Sequence, residues 1–496
     1  MVRMTTRCLC IVAVLIVFIP LYLILNHSDH DENSYGVIMD AGSTGTRLFL
    51  YTWTSNSDNE LIEIGPVLDH SNNHVVKKVY PGLSSFQDRP EEAADYVKPL
   101  LDYASQFIPV EKLPYTPVFL LATAGMRLIP EEQQIAILTN LHTKLPQMTT
   151  MQIMKEHIRV IEGKWEGIYS WIAVNYILGK FKATNSPNTS RPDTVGMIDM
   201  GGASMQIAFE MSPGDDFRSS NVENVNLGCR DDDDRYKYKL FVTTFLGYGV
   251  NEGLRKYEQE LSDRLLTTNG TYIRDECMPV NLQKVINRSD GSMFVRKGIG
   301  DWDGCVKRLA QLLNNLEAAR PKSLCKPNCF FGNVAAPMVI SIVSQLLFAI
   351  AWWTLQSYPY RRKVETFLLA AARRKLYPKS NEDRLKSQCF KSAWITAILH
   401  DGFDVDREHN NFQSAFNIAG QEVQWALGAM IYHMRYFPLR NSATNLVITR
   451  HASDSSLPFS FNIKVGMRRN RSIWSYMMMN PSDTSSFSSL RSVAYG

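Results

Sequence analysis

The chain has 496 residues, a formal net charge of +4, 45% hydrophobic residues and 21% charged residues. This length allows two or three domains with sizeable buried cores, and both fractions are ordinary for a globular protein. Because so small a net charge over so long a chain excludes the strongly basic character of nucleic-acid-binding proteins, we expect no nucleic acid partner. Composition leaves the oligomeric state open.

An apolar run, Cys8–Leu25, follows a short basic tail, residues 1–7. The run is near the lower limit for a transmembrane helix. Basic residues before it and acidic residues after it favour a cytosolic N-terminus. A cleaved signal peptide is the alternative, but no small-x-small cleavage pattern follows the run. We therefore predict a single membrane anchor, and under either interpretation the rest of the chain enters the secretory lumen.

The cysteines and glycosylation sequons agree with that compartment. The cysteines beyond the anchor are Cys229, Cys277, Cys305, Cys325, Cys329 and Cys389. An even number in a lumenal domain permits disulfides, although six cysteines allow 15 connectivities. The Asn-x-Ser/Thr sequons begin at Asn26, Asn188, Asn269, Asn287 and Asn470, and the last four are predicted N-glycosylation sites. No Cys/His spacing is typical of a zinc site.

Two segments that lie 159 positions apart share one design: DAGSTGTRLFLY at Asp40–Tyr51 and DMGGASMQIAFE at Asp199–Glu210. In each, an apolar strand reaches an Asp, a turn of small residues follows, and a second strand of alternating apolar residues begins. Such turns present consecutive backbone N–H groups, which form a concavity that binds phosphate. The pair therefore predicts a duplicated fold that closes on a phosphorylated ligand from two sides.

The remaining sequence fits two halves and a tail. Strands and helices alternate over residues 36–181, and a polar break, Lys182–Asp193, precedes the second turn. We predict lobe I over 36–181 and lobe II over 194–438, whose C-terminal helix can return to lobe I. Residues 439–496 are rich in Ser, Asn and Met and have little periodicity, which predicts a poorly ordered tail.

Two further segments allow two interpretations each. We interpret the four aspartates Asp231–Asp234 as a solvated loop rather than a metal site, because adjacent side chains cannot all converge on one ion. Val334–Leu355 is long enough to span a membrane, and basic residues follow it. A second crossing would leave Cys389 and the sequon at Asn470 in the cytosol, so we favour a buried segment over a membrane span.

Three more segments contain residues suited to chemistry. They are Ala122–Leu128, Glu162–Tyr176 and Gln421–His433. The first ends a strand with a small-residue turn that contains Thr123 and Arg127. The second presents Glu162 and Glu166, which lie four positions apart and hence on one face if both are helical. The third is apolar and has the pattern of a helix that contains Trp425.

In this order, the two Asp turns and these three segments resemble the five signature regions of the apyrase, or nucleoside triphosphate diphosphohydrolase, family. The resemblance covers about residues 36–438, and QCFKSAW near Cys389 and EVQWALGAMIYHMRYFPLRN are similar to the intracellular Golgi branch. It implies an α/β fold of two lobes, the actin, Hsp70 and sugar-kinase architecture with duplicated ribonuclease-H-like domains, plus an N-terminal transmembrane helix. The implied protein is a single-pass type II protein of the Golgi membrane with a lumenal catalytic domain.

The activity that the resemblance implies is hydrolysis of the terminal phosphate of nucleoside diphosphates, UDP or GDP, with Ca²⁺ or Mg²⁺ as cofactor. In the Golgi lumen this activity supports protein glycosylation. A broader apyrase that also accepts triphosphates, a sugar kinase of the same fold and a non-catalytic nucleotide-binding protein are the alternatives. The absence of a G-x-x-x-x-G-K-[ST] sequence excludes a P-loop enzyme.

The resemblance also implies a role for each matched residue. Glu166 takes the position of the general base, and Glu162 that of a nearby solvated or salt-bridged acid. The first phosphate loop would comprise Ser43, Thr44, Gly45, Thr46 and Arg47, and the second Gly201, Gly202, Ala203 and Ser204, with Gln206 orienting the water. A hydrated Ca²⁺ or Mg²⁺ would be surrounded by Asp40, Asp199, Thr123 and Trp425. A core aromatic is the alternative for the tryptophan, and Arg127 would brace this shell or touch substrate.

Two cysteines match a disulfide of the family, Cys277 and Cys305, whereas Cys389 matches half of another. Its partner stays open between Cys325, Cys329 and none. The family's aromatic segment for base stacking is not found, and the unusual stretch Ile340–Leu369 stands in its place. The sequence therefore predicts no base preference. The C-terminal membrane segment of the Golgi branch is also not found.

Overall fold

The computed structural model describes residues 33–54, 61–181, 191–212, 219–228, 234–268, 270–287, 291–318, 382–403 and 421–435, with short pieces at 329–330, 334–335, 347–348, 405, 413–414 and 417–418. These residues belong to one compact unit, which ends at Arg440. The predicted anchor, the predicted tail, the sequons at Asn188, Asn269 and Asn470, and most of Asp231–Asp234 and Val334–Leu355 lie outside them. No helix in the described part is long and apolar enough to cross a membrane.

The helices are α1 (Ala93–Ala104), α2 (Ala124–Arg127), α3 (Glu131–Met148), α4 (Gly163–Ile177), α5 (Val250–Thr268), α6 (Trp302–Ala318), α7 (Glu382–Ala397) and α8 (Trp425–Met434). The strands of three or more residues are β1 (Asn33–Gly42), β2 (Gly45–Thr54), β3 (Ile64–Pro66), β4 (Val76–Val79), β5 (Val118–Ala122), β6 (Ile158–Val160), β7 (Met197–Met200), β8 (Ser204–Glu210), β9 (Val222–Asn226), β10 (Lys237–Leu246), β11 (Tyr272–Asp275), β12 (Gln283–Asn287) and β13 (Met293–Gly298). Helices therefore alternate with strands, and the predicted α/β class is confirmed.

The first sheet is mixed, with the strand order β3-β2-β1-β5-β6 and β4 paired to β2. Strand β1 runs antiparallel to β2 and parallel to β5. Its side chains alternate between two cores: Val37 and Met39 pack with α1 and α3, whereas Ile38 packs on the opposite face. Because both faces are covered, the strand reads as a continuous apolar run rather than an alternating one.

The second sheet has the order β7-β8-β10-β9, and its described strands are all antiparallel. One face packs against α4, and the other forms a core with α5, α6 and α7. A small sheet, β11-β13-β12, lies beside this core. The disulfide Cys277–Cys305, which the family resemblance implied, joins the turn after β11 to α6. Cys389 of α7 is also buried.

Helices α4 and α8 pack against each other between the two sheets, since α4 contacts β7, β8 and β10 while α8 contacts β1. One apolar core therefore includes residues of both sheets. The helices approach closely at Gly428, where an added Cβ would lie 1.8 Å from the carbonyl oxygen of Tyr169. No side chain larger than hydrogen fits there without moving one helix.

Replacing Gly428 by Ala should therefore force α8 away from α4 and reduce the free energy of unfolding by about 1–3 kcal/mol or more, the usual cost of overpacking. Urea denaturation of the purified protein measures this change. Gly65→Ala is the matched control, because an added Cβ at Gly65 meets no atom within 4 Å. Equal stability of the two variants would show that the helix contact is looser than the structure indicates.

Candidate active site

The first predicted turn joins β1 to β2. Gly42 pairs with Gly45 in the antiparallel register, which leaves Ser43–Thr44 as a two-residue connection. Such a connection is the tightest common hairpin turn, and its small residues match the pattern that predicted it. The chain thus turns sharply at the end of β1, two residues after Asp40 reaches the edge of the sheet.

The second turn joins β7 to β8 with the same geometry. The N–H of Gly201 donates to the carbonyl of Ser204 over 2.9 Å, so Gly202–Ala203 form the connection. The N–H groups of the first two residues of α5 donate to the carbonyls of Gly201 and Gly202 over 3.0 and 2.8 Å. These carbonyls satisfy donors that the start of a helix otherwise leaves unpaired, and the turn is held in place by the helix.

The two turns touch each other at Ser43. An added Cβ on Gly202 would lie 2.6 Å from Ser43 Oγ, and one on Gly125 of α2 would lie 2.7 Å from Ser43 Cα. The N–H of Thr123 donates to the carbonyl of Ala41 over 3.1 Å, which ties the third predicted segment to the first turn. Three segments far apart in the sequence thus meet at one point between the two sheets.

Glu166 lies next to the second turn, in the first turns of α4, and is 7% exposed. Its Oε2 accepts hydrogen bonds from Arg127 Nη2 over 3.0 Å and from Gln206 Nε2 over 3.2 Å. Arg127 Nη2 also donates to Ser204 Oγ over 3.1 Å. Burial raises the pKa of Glu166, and the guanidinium of Arg127 acts against that rise. The predicted base is therefore held by groups from two other segments of the chain.

Arg127 braces the site, one of the two roles left open for it. Besides its bonds to Glu166 and Ser204, its Nη1 donates to the carbonyl of Ile161 over 2.9 Å. Glu162 is different: it precedes α4 as the N-cap residue, so the two acids do not share a helical face as the spacing predicted. Its side chain is 59% exposed and lies 3.6 Å from Lys164 Nζ, the solvated and salt-bridged position expected for it.

Gln206 is fully buried on β8 beside Glu166. Its Nε2 also donates to Ser204 Oγ over 2.7 Å and to Thr244 Oγ1 over 3.2 Å. Its carbonyl oxygen Oε1 has no hydrogen-bond partner within the described part of the chain. A buried acceptor without a donor is costly, and this one lies next to the carboxylate of Glu166. Gln206 Oε1 and the Glu166 carboxylate can together accept two hydrogen bonds from one small donor molecule.

Asp40 and Asp199 occupy equivalent places in the two hairpins, opposite Arg47 and Gln206 in the strand registers. Burial raises the pKa of Asp40 to about 7, with Arg47 acting against the rise and the charges of Glu166 and Asp199 adding to it. Burial and Glu166 likewise raise the pKa of Asp199 to about 7, against the hydrogen bond from Ser170. Three carboxyl groups therefore share one poorly solvated region.

No group of three or more His, Cys, Asp or Glu side chains close enough to ligate one ion occurs among the described residues. Ser170 Oγ donates to Asp199 Oδ2 over 2.8 Å. Thr123 is buried directly after β5. Trp425 is buried at the start of α8, with its ring stacked on Tyr169 at 6.2 Å between centroids. Trp425 therefore packs as a core aromatic, which was the alternative to a place around the ion.

Thr46 and Arg47 lie in β2 rather than in the first turn. Thr46 is fully buried, and its hydroxyl and N–H both bind the hydroxyl of Tyr96, so its side chain does not line a phosphate loop as predicted. Arg47 Nη1 donates to Gln424 Oε1 over 3.1 Å and lies 3.8 Å from Glu422. Its guanidinium links the first hairpin to the segment before α8.

Two polar residues of the site were missed in the sequence. Ser170 lies four positions after Glu166 on α4, so helical spacing could have placed both on one face. Thr244 pairs with Gln206 across β8 and β10, a register that the sequence alone does not reveal. Away from the site, the sequon residue Asn287 is exposed at the end of β12.

Comparison with known proteins agrees with this geometry. Residues 26–447 match the GDA1/CD39 (nucleoside phosphatase) family. The chain belongs to this family. This match confirms the nucleoside phosphatase family that the five motifs predicted.

Proteins that resemble the chain include the nucleoside-diphosphatase mig-23 of Caenorhabditis briggsae, 56% identical over 86% of this chain and 81% of the relative. The protein of the same name from Caenorhabditis elegans is 54% identical over 87% and 82%, and the nucleoside-triphosphatase ntp-1 of Caenorhabditis elegans is 42% identical over 86% and 78%. A crystal structure of a nucleoside triphosphate hydrolase from Neospora caninum has a TM-score of 0.54, with 15% identity, over 83% of this chain and 94% of that one. That likeness shows the fold.

Replacing Arg127 by Met should shift the acidic limb of the pH–rate profile for nucleotide hydrolysis to higher pH. The guanidinium lowers the pKa of Glu166, so its loss raises that pKa, and a base that must be ionised then needs a higher pH. Phosphate release measured from pH 5 to 9 gives the profile. Arg89→Met, which removes a surface arginine that pairs with Glu92, is the control, and a shift of equal size there would contradict the assignment.

Proposed function

We propose that this member of the GDA1/CD39 family hydrolyses the terminal phosphate of nucleoside diphosphates, UDP and GDP in particular. The observation that carries the proposal is the placement of Glu166 and Gln206 beside the point where the two turns meet. Relatives named nucleoside-diphosphatase, at 54% and 56% identity over most of both chains, support diphosphates as substrates. The reaction consumes one water and yields the nucleoside monophosphate and inorganic phosphate.

In this mechanism the two turns bind the terminal phosphate from opposite sides. The small residues Ser43–Thr44 and Gly202–Ala203 let backbone N–H groups approach the phosphoryl oxygens, where such groups stabilise the charge of the transition state. Both turns are fixed, the second by α5 and the first by its contact with Gly125. Fixed donors need no reorganisation when the charge develops, and they hold the phosphorus in line for attack.

Glu166 and Gln206 act on the attacking water. The water donates one hydrogen bond to the Glu166 carboxylate and one to Gln206 Oε1, the buried acceptor without a donor. As the oxygen attacks phosphorus, its proton passes to Glu166, and the bond to the bridging oxygen of the nucleotide breaks. General base catalysis of this kind contributes about 10²–10⁴-fold in rate. Arg127 fixes the carboxylate and lowers its pKa against the effect of burial.

A hydrated Ca²⁺ or Mg²⁺ is part of the proposal. The site fits such an ion because hard carboxylate and hydroxyl oxygens suit it, and the carboxylates of Asp40, Asp199 and Glu166 concentrate negative charge there. Asp40 and Asp199, with Thr123 and Trp425 beside them, would hold it through water. When bound, the ion neutralises charge on the phosphate. Ser170 orients the carboxylate of Asp199.

The finer features of the fold and its location complete the proposal. The matching hairpins in the two sheets support a duplicated, actin-like architecture with ribonuclease-H-like lobes. The charge pattern around Cys8–Leu25 supports an N-terminal anchor, and the disulfide Cys277–Cys305 supports an oxidising compartment. We place the enzyme in the Golgi membrane with its catalytic domain in the lumen, where glycosyltransferases release nucleoside diphosphates.

Phosphate release by the purified protein with UDP, GDP, ADP, UTP and ATP, with and without Ca²⁺ or Mg²⁺, tests the activity. We expect fastest hydrolysis of UDP and GDP, loss of activity with EDTA, and a fall of at least 10²-fold in Glu166→Gln. Glu162→Gln is the matched control, because Glu162 is exposed and lies outside α4. It should keep wild-type activity.

Each outcome of that assay has one meaning. Wild-type activity in Glu166→Gln would overturn the assignment of the base. Faster hydrolysis of triphosphates would favour the broader apyrase. The similarity to the triphosphatase ntp-1 is the reason for including triphosphates in the assay. Hydrolysis of none of the five nucleotides would favour a binding protein over an enzyme.

Cells that lack the protein should secrete under-glycosylated proteins, because the nucleoside diphosphates that then accumulate inhibit the glycosyltransferases that release them. Mass spectrometry of released N-glycans measures the defect. Wild-type protein should restore the glycans and Glu166→Gln should not. Normal glycans in the null cells would show that the enzyme does not support glycosylation.

A further inference from the structure

The segment that begins with β4 wraps around the first turn. Added Cβ atoms on Gly45 would lie 2.5 Å from the carbonyl oxygen of Val79 and 2.9 Å from Lys78 Cε. One on Gly82 would lie 2.6 Å from the carbonyl oxygen of Ser43. The hydroxyl of Tyr96 binds both this segment and β2. Strand β4 and the turn after it therefore form one wall of the first phosphate-binding turn.

Lys78 belongs to a row of charged side chains on one face of the first sheet. Asp40 pairs with Arg47 between β1 and β2, and Arg47 pairs with Lys78 between β2 and β4. Residues that pair directly across strands share a face. The positive charge of Lys78 accordingly acts on the carboxyl group of Asp40 and lowers its pKa. The ammonium lies 4.7 Å from the ring centroid of Tyr80, which holds it near the turn.

Two other basic side chains near the turns, Arg47 and Arg127, already have partners. Arg47 binds Gln424 and Glu422, and Arg127 binds Glu166 and Ser204. Within the described residues, Lys78 forms no ion pair. An ammonium that lies beside a phosphate-binding turn and forms no ion pair among the described residues attracts an anion, and Lys forms strong charge-assisted hydrogen bonds to phosphate.

We propose that the ammonium of Lys78 binds the terminal phosphate of the bound nucleotide and thereby sets the affinity for the phosphorylated substrate. The role rests on the proposed function, because it takes the first turn as the site of the terminal phosphate. No covalent step involves Lys78. Because it contacts phosphate before and during the reaction alike, it lowers KM more than it raises kcat.

The neighbouring Lys77 provides a matched control. It pairs with Leu48 in β2 and therefore lies on the opposite face of the sheet. Its ammonium lies 5.2 Å from the ring centroid of Tyr103 on α1. The two lysines are adjacent in sequence, have the same charge and both lie over a tyrosine ring. They differ in which face of the sheet they occupy.

The test compares Lys78→Met, Lys78→Arg and Lys77→Met in the full-length protein. Methionine keeps the hydrophobic length of the side chain against Gly45 and removes the charge. In Lys78→Met we expect KM for UDP to rise about tenfold or more, with kcat within about threefold. The inhibition constant of inorganic phosphate should rise by a similar factor. Lys78→Arg should recover most of the loss, and Lys77→Met should stay within about twofold of wild type.

Three results would overturn the inference: unchanged KM and phosphate inhibition in Lys78→Met, a fall in kcat alone, or an equal loss in Lys77→Met. Thermal unfolding checks that each variant folds, and Lys78→Gln replaces Lys78→Met if that variant does not. Calorimetric titration with inorganic phosphate keeps this test separate from the proposed function. If wild type hydrolyses no nucleotide, the proposed function fails, and weaker phosphate binding by Lys78→Met than by wild type still decides the role of Lys78.

Discussion

The contact between the two hairpin turns is the constraint on which the rest of the site depends. Ser43 lies so close to Gly202 and Gly125 that an added Cβ on either glycine would fall within 2.7 Å of it. Two sheets from different halves of the chain can bring their turns this close only where the side chains are minimal. In the proposed function, a phosphate between the turns is surrounded by backbone N–H donors that the strands and α5 fix.

The close approach of the two turns also explains why the aspartates of the site have raised pKa values. Each hairpin places an aspartate two residues before its turn, so bringing the turns together brings Asp40 and Asp199 into one region with Glu166. Burial and the charge of Glu166 raise the pKa values of both aspartates to about 7. Such an arrangement is costly for folding. Strain of this kind is typical of sites that bind a cation or a proton, and it agrees with the proposed divalent ion.

The cations of the site have separate tasks. Arg127 joins Glu166 to the second turn, and Arg47 joins the first hairpin to the segment before α8. Both guanidinium groups are held by protein acceptors, as suits a planar group with several fixed donors. Lys78 has a flexible stem and one compact charge, which suits an anion that arrives and leaves. In our proposal the two arginines brace the site, whereas Lys78 provides its affinity for phosphate.

Local patterns predicted the turns, because a two-residue turn after an Asp depends on neighbours in sequence. The same holds for α4 and α8, whose apolar periodicity is a local property. The contacts of Thr46 could not be predicted in this way. Thr46 follows the turn in sequence, but its hydroxyl binds Tyr96, fifty positions away. The sequence was sufficient to assign the five segments to one family. It did not predict the cross-strand pairing of Thr244 with Gln206.

By itself, the sequence determined the α/β class, the paired turns, the family and a short set of acids, because each follows from a pattern of neighbours along the chain. The family resemblance assigned the base to Glu166, but only the tertiary structure decided how the two acids are separated. Glu162 and Glu166 are four positions apart and carry the same chemistry. Helix α4 begins between them, so one stays in solvent while the other is buried against Gln206 and Arg127. That difference depends on where the helix meets the second sheet, which no stretch of sequence specifies alone.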